Sequence, residues 1–263
     1  MKLIASAIIQ NSLGQIFLQK RAADRPLYPG CWDLVGGHVD PGETLESCLE
    51  REIYEETGWQ LKKIRRVIHI ESWQDHHDSD PHRMEYVFEV EVDGGLERPK
   101  IEEDKTSDFI WADQNNINLV KENRKDGDQF TLEVVKRALE QNEFPSVAGL
   151  VVAGEKQGRT IGFPTANLDA EVNPKYFKTG VYGGRVLLGD EEHLGLGYFG
   201  PRHVFDEEKN NFEVYVVDLD RDLYDQRLTF VPTSYFRPPQ KVSGLEELKT
   251  LLSQDLSRVK VLK

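Results

Sequence analysis

The segment from Gly37 to Trp59 constrains the fold more than any other part of this sequence. It reads Gly, five residues, Glu, seven residues, Arg-Glu-apolar, one residue, Glu-Glu, one residue and Gly-apolar. Gly36 and Gly37 allow a tight backbone turn before a helix, and Gly58 is suited to end that helix. The pattern therefore predicts a loop, a helix and a second loop, with acidic residues at set positions along the helix.

The predicted helix carries several carboxylates on one face. Successive helical residues advance by roughly 100°, so Glu52, Glu55 and Glu56 fall within one narrow arc. That arc continues an apolar stripe formed by Leu45, Cys48 and Leu49. Like charges at the edge of a core repel one another and lose hydration. A divalent cation would neutralise them, and all-oxygen ligation favours Mg²⁺ or Mn²⁺. The alternative is a solvated acidic helix face.

The same pattern is the full Nudix box, and residues 1–141 resemble the Nudix hydrolases. The resemblance implies a mixed sheet sandwiched by helices, with the box as a loop-helix-loop. It also implies that Glu52, Glu55 and Glu56 bind metal, and that Glu55 and Glu56 take part in catalysis. The metals would lower the pKa of a bound water and neutralise a diphosphate during attack. The expected activity is hydrolysis of a diphosphate linkage.

Other positions of the box are expected to support this site. By resemblance, Glu43 and Arg51 form an ion pair that holds the loop, and Gly37 and Gly58 bound the helix. The sequence departs from many relatives at one position. They carry a further carboxylate six residues before a tryptophan such as Trp111, where this chain has a lysine.

That lysine, Lys105, leaves the general base of the hydrolase open. Glu102, Glu103 and Asp104 precede it directly and are close enough in sequence to replace the missing carboxylate. We favour Glu103 as the base. The substrate is not readable from the residues around the box.

The composition describes a globular chain with one large domain or two ordinary ones. Of its 263 residues, 38% are hydrophobic and 30% are charged, and the formal net charge is −13. This charge argues against nucleic-acid polymers and membranes as partners. No apolar run approaches the roughly 20 residues that span a bilayer. Cys48 lies on the inward stripe, which favours a buried thiol over a disulfide with Cys31 and predicts a cytoplasmic protein. An oligomer formed through residues 1–141 is left open.

Strand-like runs and a helix fill the first half. A hairpin is predicted over residues 3–19, with its turn at residues 10–14. Further strands are predicted at Val67–Trp73 and Met84–Val92. The polar stretch between them contains His76, His77 and His82 and is predicted to be a loop, with a second metal site as the alternative. A helix over Thr131–Gln141 closes this half.

The second half has a different texture. Residues 142–146 are predicted to be a linker, and residues 147–263 to be a second domain. Short β-like runs separated by glycine suggest a compact barrel, at 149–152, 180–188, 194–198, 212–218 and 228–230. An amphipathic helix is predicted over Leu245–Asp255.

The segment Gly162-Phe163-Pro164-Thr165-Ala166-Asn167-Leu168 resembles the riboflavin kinases, and the likeness extends over nearly all of residues 147–260. It implies a small riboflavin kinase-like β-barrel with a C-terminal helix. Thr165 and Asn167 are implied to contact Mg²⁺ and the phosphates of ATP, the co-substrate. Glu213 is implied to be the base that takes the proton of the ribityl 5′-hydroxyl. The residues implied to bind nucleotide or flavin are Gly154, Gly158, Arg159, Gly162, Pro164, Thr165, Asn167, Tyr182 and Arg237.

The resemblance has two departures. The segment Tyr198–Arg202 replaces an Asn-apolar-Gly-Pro-Thr pattern of many relatives, and Asp225 stands where a glycine is common. The sequence thus predicts a Mg²⁺-dependent (or Mn²⁺-dependent) Nudix pyrophosphohydrolase joined to a riboflavin kinase, acting on small-molecule nucleotides and flavins. Since the two halves would share a ligand, FAD is the suggested Nudix substrate. The alternative is a nucleoside triphosphate hydrolase with a non-catalytic sensing module.

Overall fold

The computed structural model describes residues 1–74, 79–121, 123–124, 128–140, 143–154, 158, 161–201 and 210–261. Its contacts divide the chain into two compact units. The first comprises Met1–His69 and Asp75–Asn142. The second comprises Ile70–Gln74 and Glu143–Lys263. His76, His77 and Arg159 lie outside the described residues. The predicted domain boundaries at 141 and 147 stay predictions.

The described residues of the first unit form two sheets. The strands are β1 (Lys2–Ile9), β2 (Ile16–Arg21), β3 (Trp32–Asp33), β4 (Val35–His38), β5 (Gln60–Gln74), β6 (His82–Asp93) and β7 (Thr106–Ala112). One sheet has the order β5-β6-β1-β4 and the other has the order β3-β2-β7. The first sheet is mixed, because β1 runs parallel to β6 and antiparallel to β4.

The hairpin prediction over residues 3–19 is wrong. Both strands exist, and the turn is present, with the Gly14 amide bonded to the Asn11 carbonyl. The strands nevertheless enter different sheets, and only the bridge between Gln10 and Ile16 joins them. The physical reason is that β1 gains more by pairing on both sides with β4 and β6, which bury almost its whole length.

Helix α1 (Leu45–Thr57) is the helix that the box predicts. Thr44 caps its start: the Thr44 hydroxyl accepts from the Ser47 amide, and the Ser47 hydroxyl accepts from the Thr44 amide. Gly58 ends it with φ of 72°, a left-handed conformation that glycine adopts without a steric penalty. The helix lies on β1 and β4, with Leu45, Cys48, Leu49 and Ile53 buried beneath it.

A second helix completes the first unit. Helix α2 (Phe130–Glu140) follows a 3₁₀ turn at Ile117–Val120. Its apolar residues share one core with residues of both sheets, including Ile8, Leu18 and Val87. The predicted helix over Thr131–Gln141 therefore starts one residue earlier, and Gln141 lies outside the described residues.

In the described part of the second unit, six antiparallel strands close into a barrel. They are β8 (Ser146–Val152), β9 (Thr165–Leu168), β10 (Gly180–Leu188), β11 (Glu191–Pro201), β12 (Asn210–Val216) and β13 (Arg227–Arg237). Their order is β13-β10-β11-β12-β9-β8, and pairing of β8 with β13 closes the ring. Strand β9 was not among the strands predicted from the short β-like runs.

Helix α3 (Leu245–Val259) follows the barrel and lies against β10 and β11. Its residues Leu256 and Val259 pack on Val181, Leu196 and Tyr198. A mixed sheet with helices, a closed barrel and a C-terminal helix confirm the predicted fold class. Among the described residues, no helix combines the length and the apolar character needed to cross a membrane.

Candidate functional site

The three carboxylate side chains of α1 lie on one side of the helix but differ in solvent exposure. The Glu52 side chain is 12% exposed, whereas that of Glu55 is 48% exposed. Glu56 is half-buried. The arc thus splits into two inward carboxylates and one at the rim. Burial raises the pKa of Glu52 above its usual range, although the neighbouring Arg51 opposes this.

Glu56 is held by two hydrogen bonds. Gln19 Nε2 donates to Glu56 Oε2 over 2.7 Å, and the Gly36 amide donates to the same oxygen over 3.0 Å. Burial raises the pKa of Glu56 to about 8, the Gly36 bond lowers it, and the charge of Glu52 raises it further.

Arg51 organises the loop and the helix. It binds Glu43 with two hydrogen bonds, Nε to Oε1 at 2.8 Å and Nη2 to Oε2 at 2.9 Å. Its Nη1 contacts Glu52 Oε1 at 2.6 Å and Glu55 Oε2 at 3.5 Å. The structure therefore contains the ion pair that the Nudix resemblance implies. The bonds from Arg51 and from the Asp40 amide lower the pKa of Glu43 to about 2.

Gly37 is required for close packing of a carboxylate. A Cβ at this position would lie 2.2 Å from Glu52 Oε1, so any larger residue would displace the Glu52 side chain. In the part of the chain that the structure describes, no three Asp, Glu, His or Cys side chains are grouped as a metal centre. The donors still fit Mg²⁺ or Mn²⁺ chemically, because all three are carboxylates.

The segment before β7 places the positively charged side chain of Lys105 near the carboxylates of α1. Lys105 Nζ pairs with Glu102 Oε2 at 2.9 Å, and the charges of Glu56 and Glu52 also contribute to a raised pKa of Lys105. Glu103, the base favoured from the sequence, is exposed in the adjoining turn. Lys105 is therefore the residue of this segment that the helix carboxylates affect electrostatically.

A second cluster lies on the outer face of the barrel. Antiparallel partners share a face of a sheet, and Glu213 on β12 is opposite Asn167 on one side and Tyr198 on the other. Thr165, two residues before Asn167, donates from Oγ1 to Glu213 Oε2 over 2.9 Å. Phe212, Val214 and Val216 point to the core instead. Glu213 is thus outward-facing, as its strand alternation predicts, but it joins Thr165 and Asn167.

The glycine-spaced loop approaches the same face. A Cβ at Gly154 would lie 2.1 Å from Asn167 Nδ2, and one at Gly158 would lie 2.1 Å from the Phe163 carbonyl. Gly162 has φ of 83°, which favours glycine. Next to Thr165 is a cleft of about 380 Å³. Its lining combines Pro164 and aliphatic residues with the charged residues Asp220, Arg221 and Asp222. Its volume suits a small-molecule ligand.

Two other predicted binding residues bind partners outside this cluster. Tyr182 is 1% exposed in the barrel core, and its hydroxyl donates to the Lys178 carbonyl. Arg237 uses Nε and Nη2 to bind Asp255 of α3, at 3.0 and 2.7 Å. The structure therefore does not bring Tyr182 to the cluster. Arg237 interacts electrostatically with Tyr198, the strand neighbour of Glu213. Burial raises the pKa of Tyr198 to about 12; the charge of Glu213 raises it further, and the charge of Arg237 lowers it.

Sequence comparison decides the family. The family model of the NUDIX domain matches residues 2–155, and that of riboflavin kinase matches residues 125–262. The chain belongs to both families. It joins a NUDIX domain to a riboflavin kinase domain, which confirms both resemblances. The two families generally use a divalent metal and ATP, and they imply nucleotides and flavins as substrates.

The curated relatives that the chain is similar to include riboflavin kinases. The bifunctional riboflavin kinase/FMN adenylyltransferase of Listeria monocytogenes is 32% identical over 152 residues, which are 53% of this chain and 48% of that protein. The RNA-binding riboflavin kinase RibR of Bacillus subtilis is 31% identical over 114 residues, which are 43% of this chain and 49% of that protein. The chain thus spans about half the length of these relatives. A solved MutT protein from Methanosarcina mazei aligns with 54% of this chain and 95% of its own, at 21% identity and a TM-score of 0.44.

Sequence reasoning missed three residues near these clusters. Gln19 reaches Glu56, Tyr198 is the strand neighbour of Glu213, and Asp255 anchors Arg237. A lone glutamine after Ile-Phe-Leu is a weak signal, but a polar residue in an apolar run needs a partner when buried. Asp255 carried a similar signal, as an acid among the apolar residues of a helix.

Proposed function

We propose that the chain is a bifunctional flavin enzyme. Its kinase domain would transfer the γ-phosphoryl group of ATP to riboflavin, giving FMN and ADP. Its Nudix domain would hydrolyse FAD to FMN and AMP. The observation that carries the proposal is the cluster on the barrel face, where Glu213 is hydrogen-bonded to Thr165 and lies opposite Asn167.

In the kinase reaction Glu213 is the proposed base. It would accept the proton of the riboflavin 5′-hydroxyl while that oxygen attacks the γ-phosphorus and the bond to the β-phosphate oxygen breaks. Thr165 and Asn167 supply hydroxyl and amide oxygens, which suit Mg²⁺. A bound Mg²⁺ would neutralise charge on the phosphates. The adjacent cleft of about 380 Å³, lined by both apolar and charged residues, would hold part of one substrate.

In the hydrolase reaction the carboxylates of α1 are the proposed metal ligands. A bound Mg²⁺ or Mn²⁺ would acidify a water and offset charge on the diphosphate. Gln19 and Gly36 hold Glu56, and Arg51 holds the loop that precedes α1. We keep Glu103 as the proposed base that takes the proton from the attacking water. Attack at the diphosphate breaks one phosphorus–oxygen bond and leaves FMN and AMP.

FAD is proposed because both domains would then handle one ligand. The Listeria relative couples riboflavin kinase to FMN adenylyltransferase, by its name, so the kinase there also has a flavin-nucleotide partner domain. Here a Nudix domain precedes the kinase domain. A hydrolase joined to the kinase would break down, with water, the dinucleotide that an adenylyltransferase forms.

We further propose that the protein works in the cytoplasm on small molecules. RNA binding is part of the name of RibR, but the net charge of −13 on this chain disfavours a nucleic-acid partner. An oligomer through the Nudix domain would leave these chemistries unchanged. The competing proposal is a nucleoside triphosphate hydrolase whose second domain senses flavin without turnover.

Separate assays of FMN formation test the proposal. Wild-type protein is incubated with riboflavin, ATP and Mg²⁺, or with FAD and Mg²⁺, and flavins are separated by chromatography. Glu213→Gln should abolish the first reaction alone, and Glu55→Gln the second alone. Glu50→Gln, on the exposed face of α1, and Glu192→Gln, on an exposed part of β11, are matched controls. Flavin binding without FMN formation would support the sensing alternative.

A further inference from the structure

Gln19 lies on β2 with its side chain buried, only 5% of the residue being exposed. Its amide group is bonded at both ends. Nε2 donates to Glu56 Oε2 over 2.7 Å and weakly to the Leu34 carbonyl over 3.4 Å, while Oε1 accepts from Thr106 Oγ1 over 3.2 Å. A buried amide that satisfies donor and acceptor in this way has a defined orientation.

The opposite orientation of the amide is excluded by its neighbours. Turning it over would place the Gln19 carbonyl oxygen against two acceptors, the Glu56 carboxylate and the Leu34 carbonyl. It would also point the amide nitrogen at the Thr106 hydroxyl. When Glu56 is ionised, as a metal-binding carboxylate is, neither it nor the Leu34 carbonyl has a proton to donate, so the NH₂ group faces Glu56. Glu56 and Leu34 therefore fix which end of Gln19 meets the carboxylate, and Thr106 bonds the other end.

The bonds to Glu56 use one of its oxygens. Within the described residues, both hydrogen bonds to this carboxylate, from Gln19 and Gly36, end on Oε2. Oε1 is left for another partner. We propose that Gln19, held at its other end by Thr106, is a positioning residue that turns Glu56 Oε1 toward the divalent cation of the Nudix domain. This inference rests on the proposed function of the α1 carboxylates.

The affinity for metal tests the positioning role of Gln19 directly. Loss of a residue that orients a metal ligand typically weakens metal binding by 10- to 100-fold. Gln19→Met keeps the volume of the side chain and removes the donor. The probe is Mn²⁺ alone, titrated into the full-length protein with free Mn²⁺ measured by electron paramagnetic resonance. Gln19→Met should weaken Mn²⁺ binding by about tenfold. Gln15→Met is the matched control, since Gln15 donates to Asp113 away from α1, and it should bind Mn²⁺ as the wild type does.

A second measurement separates positioning from general damage. For Gln19→Met, FAD hydrolysis should recover as Mg²⁺ is raised, with the KM for FAD unchanged at saturating Mg²⁺. A structural lesion would not be rescued by metal. If Gln19→Met does not fold, Thr106→Val, which frees the amide, should show the same loss of affinity.

A third variant distinguishes failure of the inference from failure of the proposed function. Glu56→Gln should lose the Mn²⁺ site. If Glu56→Gln loses the Mn²⁺ site but Gln19→Met binds Mn²⁺ with wild-type affinity, only the positioning role of Gln19 is overturned, and the metal centre stands. Wild-type affinity in Glu56→Gln would overturn the metal centre itself, and the inference with it.

Discussion

Thr165 Oγ1 donates a hydrogen bond to Glu213 Oε2 over 2.9 Å, across the neighbouring strands β9 and β12. A hydroxyl has one proton to donate and two lone pairs that accept. Thr165 can therefore orient the proposed base and still offer its oxygen to a cation. One residue would link proton removal to phosphate binding.

Removal of that hydroxyl is expected to impair the kinase. Thr165→Val should lower the rate of FMN formation by about 10- to 100-fold, since both the orientation of Glu213 and an oxygen ligand are lost. Thr165→Ser should stay within a few-fold of wild type. Thr233→Val, an exposed position on β13 whose hydroxyl bonds the Gly183 carbonyl, is the control. Equal rates for Thr165→Val and wild type would remove Thr165 from the site.

The base of the hydrolase can be assigned by neighbouring variants. Glu103→Gln should lower FAD hydrolysis by about 10²- to 10⁴-fold, the usual contribution of a positioned base. Asp104→Asn, the exposed neighbour in the same turn, should have little effect. Retained activity in Glu103→Gln would show that Glu103 is not the base.

The ion pair between Glu43 and Arg51 predicts a pH-dependent stability. The pKa of Glu43 is about 2 in the folded state against 4.5 when unperturbed, because Arg51 and the Asp40 amide bond the ionised form. A depressed folded pKa means that the stabilisation is complete above about pH 4.5 and is lost as the pH falls toward 2. Wild type should therefore have a higher Tm than Glu43→Gln at pH 7, with the gap narrowing from pH 5 to pH 3. A gap independent of pH would contradict this.

The sequence predicted helix α1 better than the sheets. The stripe of Leu45, Cys48 and Leu49 and the stop at Gly58 depend on residues close along the chain, where helical periodicity is decisive. The pairing of β1 with β6 joins residues about 80 positions apart. Strand periodicity indicates which side chains face inward but not which strand is the partner. The expected hairpin failed for that reason.

In the functional sites too, local sequence patterns predict the direction of a side chain but not its neighbours from distant parts of the chain. The alternation of Phe212, Glu213 and Val214 predicts which side chains face outward, but not that Thr165 and Asn167 stand beside Glu213. Tyr182 illustrates the converse, because its place in the kinase pattern suggested a ligand contact while the barrel buries it. Asp225, where a glycine is common, keeps φ of 62°, so the backbone retains a conformation that aspartate tolerates.

The two cysteine thiols are predicted to react slowly with thiol reagents in the native state. Burial raises the pKa of Cys48 to about 12, and it also raises the pKa of Cys31. Since the thiolate is the reactive form, the single remaining thiol of a Cys31→Ser variant should resist an aromatic disulfide reagent at pH 8. It should react fully in denaturant. Rapid labelling of the folded variant would show that Cys48 is accessible.

The claim that both domains handle flavin is tested most directly by the specificity of the hydrolase. We expect kcat/KM for FAD, measured with Mg²⁺ in a Glu213→Gln background to silence the kinase, to exceed that for 8-oxo-dGTP and the common nucleoside triphosphates by at least about tenfold, a difference of about 1.4 kcal/mol in transition-state binding. FMN and AMP should appear in equal amounts. Efficient cleavage of a nucleoside triphosphate with FAD left intact would contradict the account.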